Sequence, residues 1–342
     1  MATGPAAEPE LPTHQRATGP PDGDVGARPP KTDFLTIAAL GPSGLRELLD
    51  LTAELKRAPE RFRGALSGGR LGLIFDKPST RTRMSFEAAA WQLGMLPISV
   101  RRDELQLGRG ETIADTARAL SLYVDAIAIR TFDQSTVEEL AAAASVPVIN
   151  ALTNEHHPCQ ALADAMTIEE EFGSLAGRRL AFVGDGDNVC VSLIQAAALG
   201  GFQLVAATPK GYEPDRAIVA EARATAETTG GSILLTYDPR EAVTGSDAIY
   251  ADVWTSMGHD AEREARMAAF SGYTVNEELM SLAKPTAIFL HCLPAHRGEE
   301  VTDGVIDGPA SRVWPQAANR MHTEAALIYR LLFGDGPTKW PR

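Results

Sequence analysis

The chain lacks any run of about 18 consecutive apolar residues, the length a membrane-spanning helix needs, so no segment reads as a span. It also lacks a basic excess. Its 32 Lys and Arg against 45 Asp and Glu leave a net charge of −13. That balance argues against a nucleic-acid partner, whose phosphates demand a basic face. A local basic pocket for an anionic metabolite is still compatible with it. Cysteine is scarce: Cys159, Cys190 and Cys292 are an odd set, which excludes a disulfide framework and suits a reducing cytosol. Zinc is disfavoured as well. His291, Cys292 and His296 lie close in sequence, as do His156, His157 and Cys159, but neither set has a zinc-motif spacing and a proline interrupts each.

What is present describes a soluble globular protein, with 44% hydrophobic and 23% charged residues. A length of 342 residues exceeds the usual single domain and predicts two. Residues 1–32 carry seven prolines and four glycines with almost no large apolar side chains, which predicts a disordered tail. Acids at Glu8, Glu10, Asp22 and Asp24 match the bases Arg16, Arg28 and Lys31, unlike a transit peptide, and no apolar core marks a secretory signal.

Beyond the tail, Ser43 is expected to cap an amphipathic helix that buries Leu45, Leu48, Leu49 and Leu55. Apolar strands near 70–76, 97–100, 124–130 and 146–149 then alternate with helical stretches around 82–93, 111–122 and 136–144. A second series of strands follows near 179–184, 203–207, 232–236, 247–252 and 286–291. The pattern predicts an α/β chain of two domains, each a parallel sheet flanked by helices. A helix from Pro158 to about Phe172 would bridge them, and a last helix near 316–333 would pack back on the first half. The division expected is a tail to 32, a first domain over 33–157 joined by the C-terminal stretch 316–342, and a second domain over 158–315.

Ligands of open parallel sheets sit beyond the carboxyl ends of the strands. The conspicuous polar residues lie at those ends. Arg81 and Arg83 follow the first strand in the opening turn of a helix, where cations oppose the macrodipole unless an anion lies in front of them. Hydroxyls of Ser79, Thr80 and Thr82, free backbone N–H groups and guanidinium forks there would converge on a phosphate. A plain Ser79 cap beside solvated arginines is the alternative. Gly184 and Gly186 after a strand invite a dinucleotide reading, but the third glycine position holds Val189 and no acid stands at the next strand end, where Ala207 and Thr208 are. A tight turn presenting Asn188 is the better reading. Asp252 and Ser256, with glycine at 258, suit an amino-acid ammonium, and Asn188 its carboxylate; a surface loop with an aspartate turn is the alternative.

Eight segments taken together carry a resemblance: FDKPSTRTR (75–83), Gln106 in LQLGRGET, Arg130, HPCQ (157–160), GDGDN (184–188), DVWTSMG (252–258), HCLPAHRG (291–298) and NRMH (319–322). In this order and spacing, from about residue 33 to the C-terminus, the chain resembles the ornithine carbamoyltransferase family. The resemblance implies that Ser79, Thr80, Arg81, Thr82 and Arg83 bind the phosphate of carbamoyl phosphate. It implies that Arg130, His157 and Gln160 hold the carbamoyl group and that Gln106 reaches a neighbouring subunit's site. Asn188, Asp252, Ser256 and Met257 match the ornithine pocket, and Cys292, Leu293 and Arg320 the remaining contacts. Arg130, His157, Asp252 and Cys292 are the expected catalytic set. One departure is Val191, where relatives often carry histidine.

The implied reaction moves a carbamoyl group to the δ-amine of ornithine, giving citrulline and phosphate. No cofactor or metal is expected, because the leaving group carries the activation. The implied setting is a cytoplasmic homotrimer in arginine biosynthesis. Transfer to putrescine or an acylated ornithine, or a non-catalytic ligand-binding paralogue, are the alternatives.

Overall fold

Alternating apolar strands and amphipathic helices produce two all-parallel sheets in the computed structural model, which describes residues 1, 30–77, 79–101, 104, 110–255 and 262–334. The first sheet holds β1 (Arg70–Phe75), β2 (Leu96–Arg101), β3 (Ala126–Arg130) and β4 (Val148–Leu152) in the order β2-β1-β3-β4. The second holds β5 (Arg179–Val183), β6 (Gln203–Ala207), β7 (Ser232–Thr236), β8 (Ala248–Ala251) and β9 (Ile288–His291) in the order β7-β6-β5-β8-β9. Each strand order reverses direction at one place, between β1 and β3 and between β5 and β8. Those switch points are where a crevice opens beyond the strand ends.

The described helices are α1 (Gly41–Arg57), α2 (Thr80–Leu93), α3 (Ile113–Ser121), α4 (Gln134–Ala143), α5 (Pro158–Phe172), α6 (Asn188–Gly200), α7 (Arg216–Thr229), α8 (Pro239–Val243), α9 (Arg263–Ala269), α10 (Glu277–Met280), α11 (Asp303–Ile306) and α12 (Val313–Phe333). α1 buries Leu45, Leu48, Leu49 and Leu55, yet Ser43 does not cap it. The helix begins at Gly41 with Pro42 in its first turn, so Ser43 lies inside the helix. Proline serves there because its fixed φ suits the helix and its missing N–H would have had no partner. α2 buries Thr82, Phe86, Ala89, Ala90 and Leu93, and Gly94, at φ 83°, ends it. α12 starts at Val313 and packs against α5, α2 and α1.

The largest core cluster runs through both halves, joining Phe86 and Leu93 of α2, Leu162 and Ile168 of α5, Leu193 of α6, and Leu327 and Ile328 of α12. α5 and α6 are buried along most of their length. Beyond the strand ends of the two sheets, Arg81 of α2 meets the Leu293 carbonyl past β9 at 2.7 Å. Of the expected tail, residues 2–29 lie outside the described residues, whereas Lys31 pairs with Asp33 at 2.9 Å and reaches the Ala141 carbonyl.

Candidate active site

β1 and β3 are neighbours, with Phe75 opposite Arg130 and the Asp76 N–H donating to the Arg130 carbonyl at 2.9 Å. Arg130 therefore emerges beside the turn that opens α2. Ser79 has the extended backbone of an N-cap, but its side chain makes no capping bond, and no acid stands in the first turn. That helix N-terminus keeps its donors and positive end available to an anion. Thr82 points inward, and its Oγ1 accepts from Arg130 Nη1 at 3.3 Å and from Arg320 Nη2, on α12, at 3.4 Å. Arg81 turns across the cleft and donates to the Leu293 carbonyl at 2.7 Å. Arg83 is not drawn into this cluster. It runs along the outside of α2 to Glu87 at 2.9 Å.

Three guanidinium groups thus share one pocket. Burial, and then the charges of Arg320 and Arg81, push Arg130 down to about 10, and its buried Nε has no hydrogen-bond partner among the described residues. Burial also opposes the charge on Arg320, but the buried Glu324, 2.8 Å away, holds it above the ordinary arginine range. An orphaned donor amid like charge is the state an incoming anion relieves. His157 precedes α5, and its backbone N–H donates to Ser192 Oγ at 2.8 Å. Burial and then the three arginines drive its imidazole far below the usual histidine range, so it is neutral at pH 7 and can donate an N–H without carrying charge. Gln160, in the first turn of α5, accepts on Oε1 from Arg320 Nη1 at 2.8 Å.

The opposite wall comes from the ends of β8 and β9. Asp252 Oδ1 accepts from Cys292 Sγ at 2.9 Å and from the Val253 N–H at 2.8 Å. Burial raises Asp252 above the usual carboxylate range, and burial together with Asp252 keeps Cys292 a thiol. Leu293 is the one non-glycine residue at positive φ, 59°, among the described residues. Its N–H donates to His291 Nδ1 at 2.8 Å, so the imidazole proton resides on Nε2, which faces the fully buried Glu300 at 3.3 Å. Asn188 opens α6, and its Nδ2 donates to the Thr153 carbonyl at 2.9 Å, tying it to the loop before His157. Gly186 earns its place by close approach rather than by holding a dinucleotide: a Cβ there would lie 2.3 Å from Pro214 N and 2.5 Å from Tyr212 O.

Gln106, Ser256 and Met257 lie outside the described residues. Of the other sequence-predicted residues, Thr82, Arg130, His157, Gln160 and Arg320 gather around one pocket, and Arg81 links it to Leu293, Cys292 and Asp252 opposite. Sequence reasoning passed over Asp164 and Glu324, the buried carboxylates that hold Gln160 and Arg320. The signal available was spacing, since each acid stands four residues after its partner on the same helix. Among the described residues, His296, Glu299 and Glu300 form the one grouping with metal-ligand geometry, and no predicted site residue belongs to it.

Residues 32–170 match the carbamoyl-P binding domain, and residues 176–331 the Asp/Orn binding domain, of aspartate/ornithine carbamoyltransferase. The ornithine carbamoyltransferase of Anoxybacillus flavithermus is 53% identical over 303 residues, 88% of this chain and 96% of that protein. That of Halalkalibacterium halodurans is 50% identical over 305 residues, 89% of this chain and 96% of the relative. The solved ornithine carbamoyltransferase from Pyrococcus furiosus superposes with a TM-score of 0.85 at 48% identity, covering 90% of this chain and 98% of its own. The structure of the anabolic enzyme from Campylobacter jejuni has a TM-score of 0.84 at 37% identity, covering 88% and 98% respectively.

Proposed function

The chain belongs to the aspartate/ornithine carbamoyltransferase family, and from that premise we propose how its cleft divides the work. The protein transfers the carbamoyl group of carbamoyl phosphate to the δ-amine of L-ornithine, giving L-citrulline and phosphate. The observation that carries the assignment is the convergence of Arg81, Arg130 and Arg320 on the mouth of α2, opposite the paired Asp252 and Cys292.

In our reading the phosphate lies on the N-terminal N–H groups of α2 with Ser79, Thr80, Arg81 and Thr82. Arg83, engaged by Glu87, stays outside the contacts. Arg81 uses Nη2 for Leu293 and has its other N–H groups for phosphate oxygens. The carbonyl oxygen receives Arg130, the neutral His157 and the Thr82 hydroxyl; Thr82 Oγ1 already accepts from two arginines, so its proton is free to point at the substrate. The carbamoyl NH₂ is held by Gln160 Oε1 and the Leu293 carbonyl. Asn188, Asp252, Ser256 and Met257 take the amino-acid end of ornithine.

The δ-ammonium has an ordinary pKa near ~10.4 if it resembles lysine, and the nearby guanidinium charges favour its neutral form. The amine nitrogen bonds to the carbamoyl carbon, the bond from that carbon to the phosphate-bridging oxygen breaks, and phosphate leaves with the electron pair. The proton passes to the Asp252 and Cys292 pair or to the departing phosphate. Each donor aimed at the developing oxyanion contributes ~10²–10³ in rate.

The first domain would comprise residues 33–157 with the stretch 316–342 packed back on it, and the second residues 158–315. We take the exposed Met84 and Trp91 of α2, Leu96 of β2, and Leu122 and Tyr123 beyond α3 as the face that a second copy covers in a homotrimer, to which Gln106 contributes. A role in arginine biosynthesis is in keeping with the anabolic relative, and we place that role in the cytoplasm. The test is citrulline formation by purified protein, with putrescine and N-acetylornithine as rival acceptors. Ornithine should be turned over at least ~10²-fold more efficiently, since a site built around a substrate's polar groups leaves them unpaired with an analogue. Absence of citrulline would refute the reading.

A further inference from the structure

Gln160 is fixed in one of its two amide orientations by partners that cannot exchange roles. Its Nε2 donates to Asp164 Oδ1 at 2.8 Å, and its Oε1 accepts from Arg320 Nη1 at 2.8 Å. Burial pushes Asp164 up to about 7, but Oδ1 already accepts from two amides, so a proton it takes belongs on Oδ2. Oδ1 remains an acceptor and a guanidinium only donates, so a flipped amide would set acceptor against acceptor and donor against donor. Asp164 is fully buried in α5, and its Oδ1 also accepts from Gln316 Nε2 of α12 at 2.6 Å. Gln316 lies 3.2 Å from the Tyr250 hydroxyl and accepts on Oε1 from the His291 backbone N–H at 2.9 Å. One carboxylate therefore joins the carbamoyl side of the cleft to the strand end that carries Cys292 and Leu293.

We propose that Asp164 is a positioning residue: it aims the Gln160 carbonyl oxygen at the carbamoyl NH₂ and, through Gln316, sets the place of the His291–Leu293 strand end. This rests on the reading of Gln160 as a carbamoyl contact. The physical need is for acceptors. Arg81, Arg130, Arg320 and His157 offer the carbamoyl group N–H donors, which suit its carbonyl oxygen and the phosphate but not its NH₂. Gln160 Oε1 and the Leu293 carbonyl are the acceptors that fill this need, and Asp164 is tied to both, directly to the first and through Gln316 to the strand end bearing the second. Without it, the Gln160 amide can rotate its nitrogen towards the substrate, and Gln316 loses the bond that steadies it beneath His291. Asn188 keeps the Thr153 carbonyl and Asp252 keeps the Val253 N–H, neither of which Asp164 touches, so the amino-acid end of ornithine should be little affected.

The test is steady-state kinetics of the full chain carrying Asp164→Ala, Gln160→Ala or both. Asp164→Ala alone should cut kcat/KM for carbamoyl phosphate ~10–100-fold, the range for losing a charged hydrogen-bond partner, with KM for ornithine within ~2-fold. In the Gln160→Ala background the same change should cost several-fold less than in wild type, since the part that acts through Gln160 is already lost and only the arm through Gln316 remains. Asp164→Asn can still offer one oxygen to both amides and should return to within ~5-fold of wild type. An equal loss in both backgrounds would mark Asp164 as merely structural and overturn the proposal. Wild-type kinetics in Gln160→Ala would remove the underlying reading of Gln160 instead. If Asp164→Ala does not fold, Asp164→Leu, nearer in volume, takes its place in the cycle, and wild-type carbamoyl phosphate kinetics in that variant would also overturn the proposal.

Discussion

Arg81 and Arg83 sit two positions apart on one helical turn and meet different fates, because side chains two apart on a helix face different directions. Arg81 reaches Leu293, while Arg83 runs back to Glu87. Arg81→Ala should raise KM for carbamoyl phosphate and cut kcat/KM by ~10²–10³, the range for losing one preorganised donor, whereas Arg83→Ala should stay within ~5-fold. Parallel kinetics of the two variants check this, and equal losses would place both on the phosphate. His156 makes a prediction about stability. Burial lowers its pKa from 6.5 to about 4, so the unfolded chain binds a proton that the folded chain refuses. The stability so conferred is present above the unfolded value and is lost as pH falls from about 6.5 towards about 4. Urea unfolding should therefore show wild type weakening between pH 7 and pH 4.5 by on the order of 2–3 kcal/mol more than His156→Gln does. An identical pH slope in the two proteins would contradict it.

At the scale of an element, the turn from β5 into α6 shows how backbone contact positions a side chain. The Gly186 N–H donates to the Tyr212 carbonyl at 2.9 Å, and Cα lies so close to the 212–214 backbone that no Cβ fits. Gly186→Ala must push that loop and the start of α6 apart, which should cost ~1–3 kcal/mol, typical of overpacking, and disturb Asn188. Denaturant unfolding checks the first part. Kinetics check the second, with KM for ornithine rising several-fold more than KM for carbamoyl phosphate, as expected when one of two pockets is deformed. α5 and α12 make a complementary point. Both bury polar chains that a soluble helix ordinarily turns to water, among them Gln160, Asp164, Gln316, Arg320 and Glu324. Such chains are tolerated because each makes hydrogen bonds with its neighbours, across the two helices as well as along each one.

For the whole molecule, the exposed apolar side chains of the first half are the ones we propose a second copy covers. Trp91 is 74% exposed and Leu122 76% exposed. Trp91→Glu should shift the mass measured by light scattering from trimer towards monomer, and citrulline formation should fall in step if Gln106 completes a neighbour's site. A monomeric wild-type protein with full activity would refute both parts. The acidic surface does not conflict with binding two phosphate-bearing or charged metabolites. The net charge of −13 is spread over the surface, while the cleft concentrates guanidinium groups behind low-dielectric walls.

The alternation of apolar runs and amphipathic stretches determined that the sheets are parallel and twofold, and the strings STRTR, HPCQ and HCLP marked strand ends and a chemistry before any contact was known. Local periodicity carries that information because strand and helix impose spacings of two and 3.6 on the chain itself. It carries no record of which strand lies beside which. That β1 neighbours β3, setting Arg130 next to the α2 turn, and that β5 neighbours β8, setting the Gly184 turn before Asn188 against Asp252, was decided by tertiary packing. So was the choice between Arg81 and Arg83, and the joining of Asp164 to Gln316 across 152 positions of sequence. These contacts arise only when separate elements share one buried space, where an unpaired carboxylate or amide is too costly to leave unmatched.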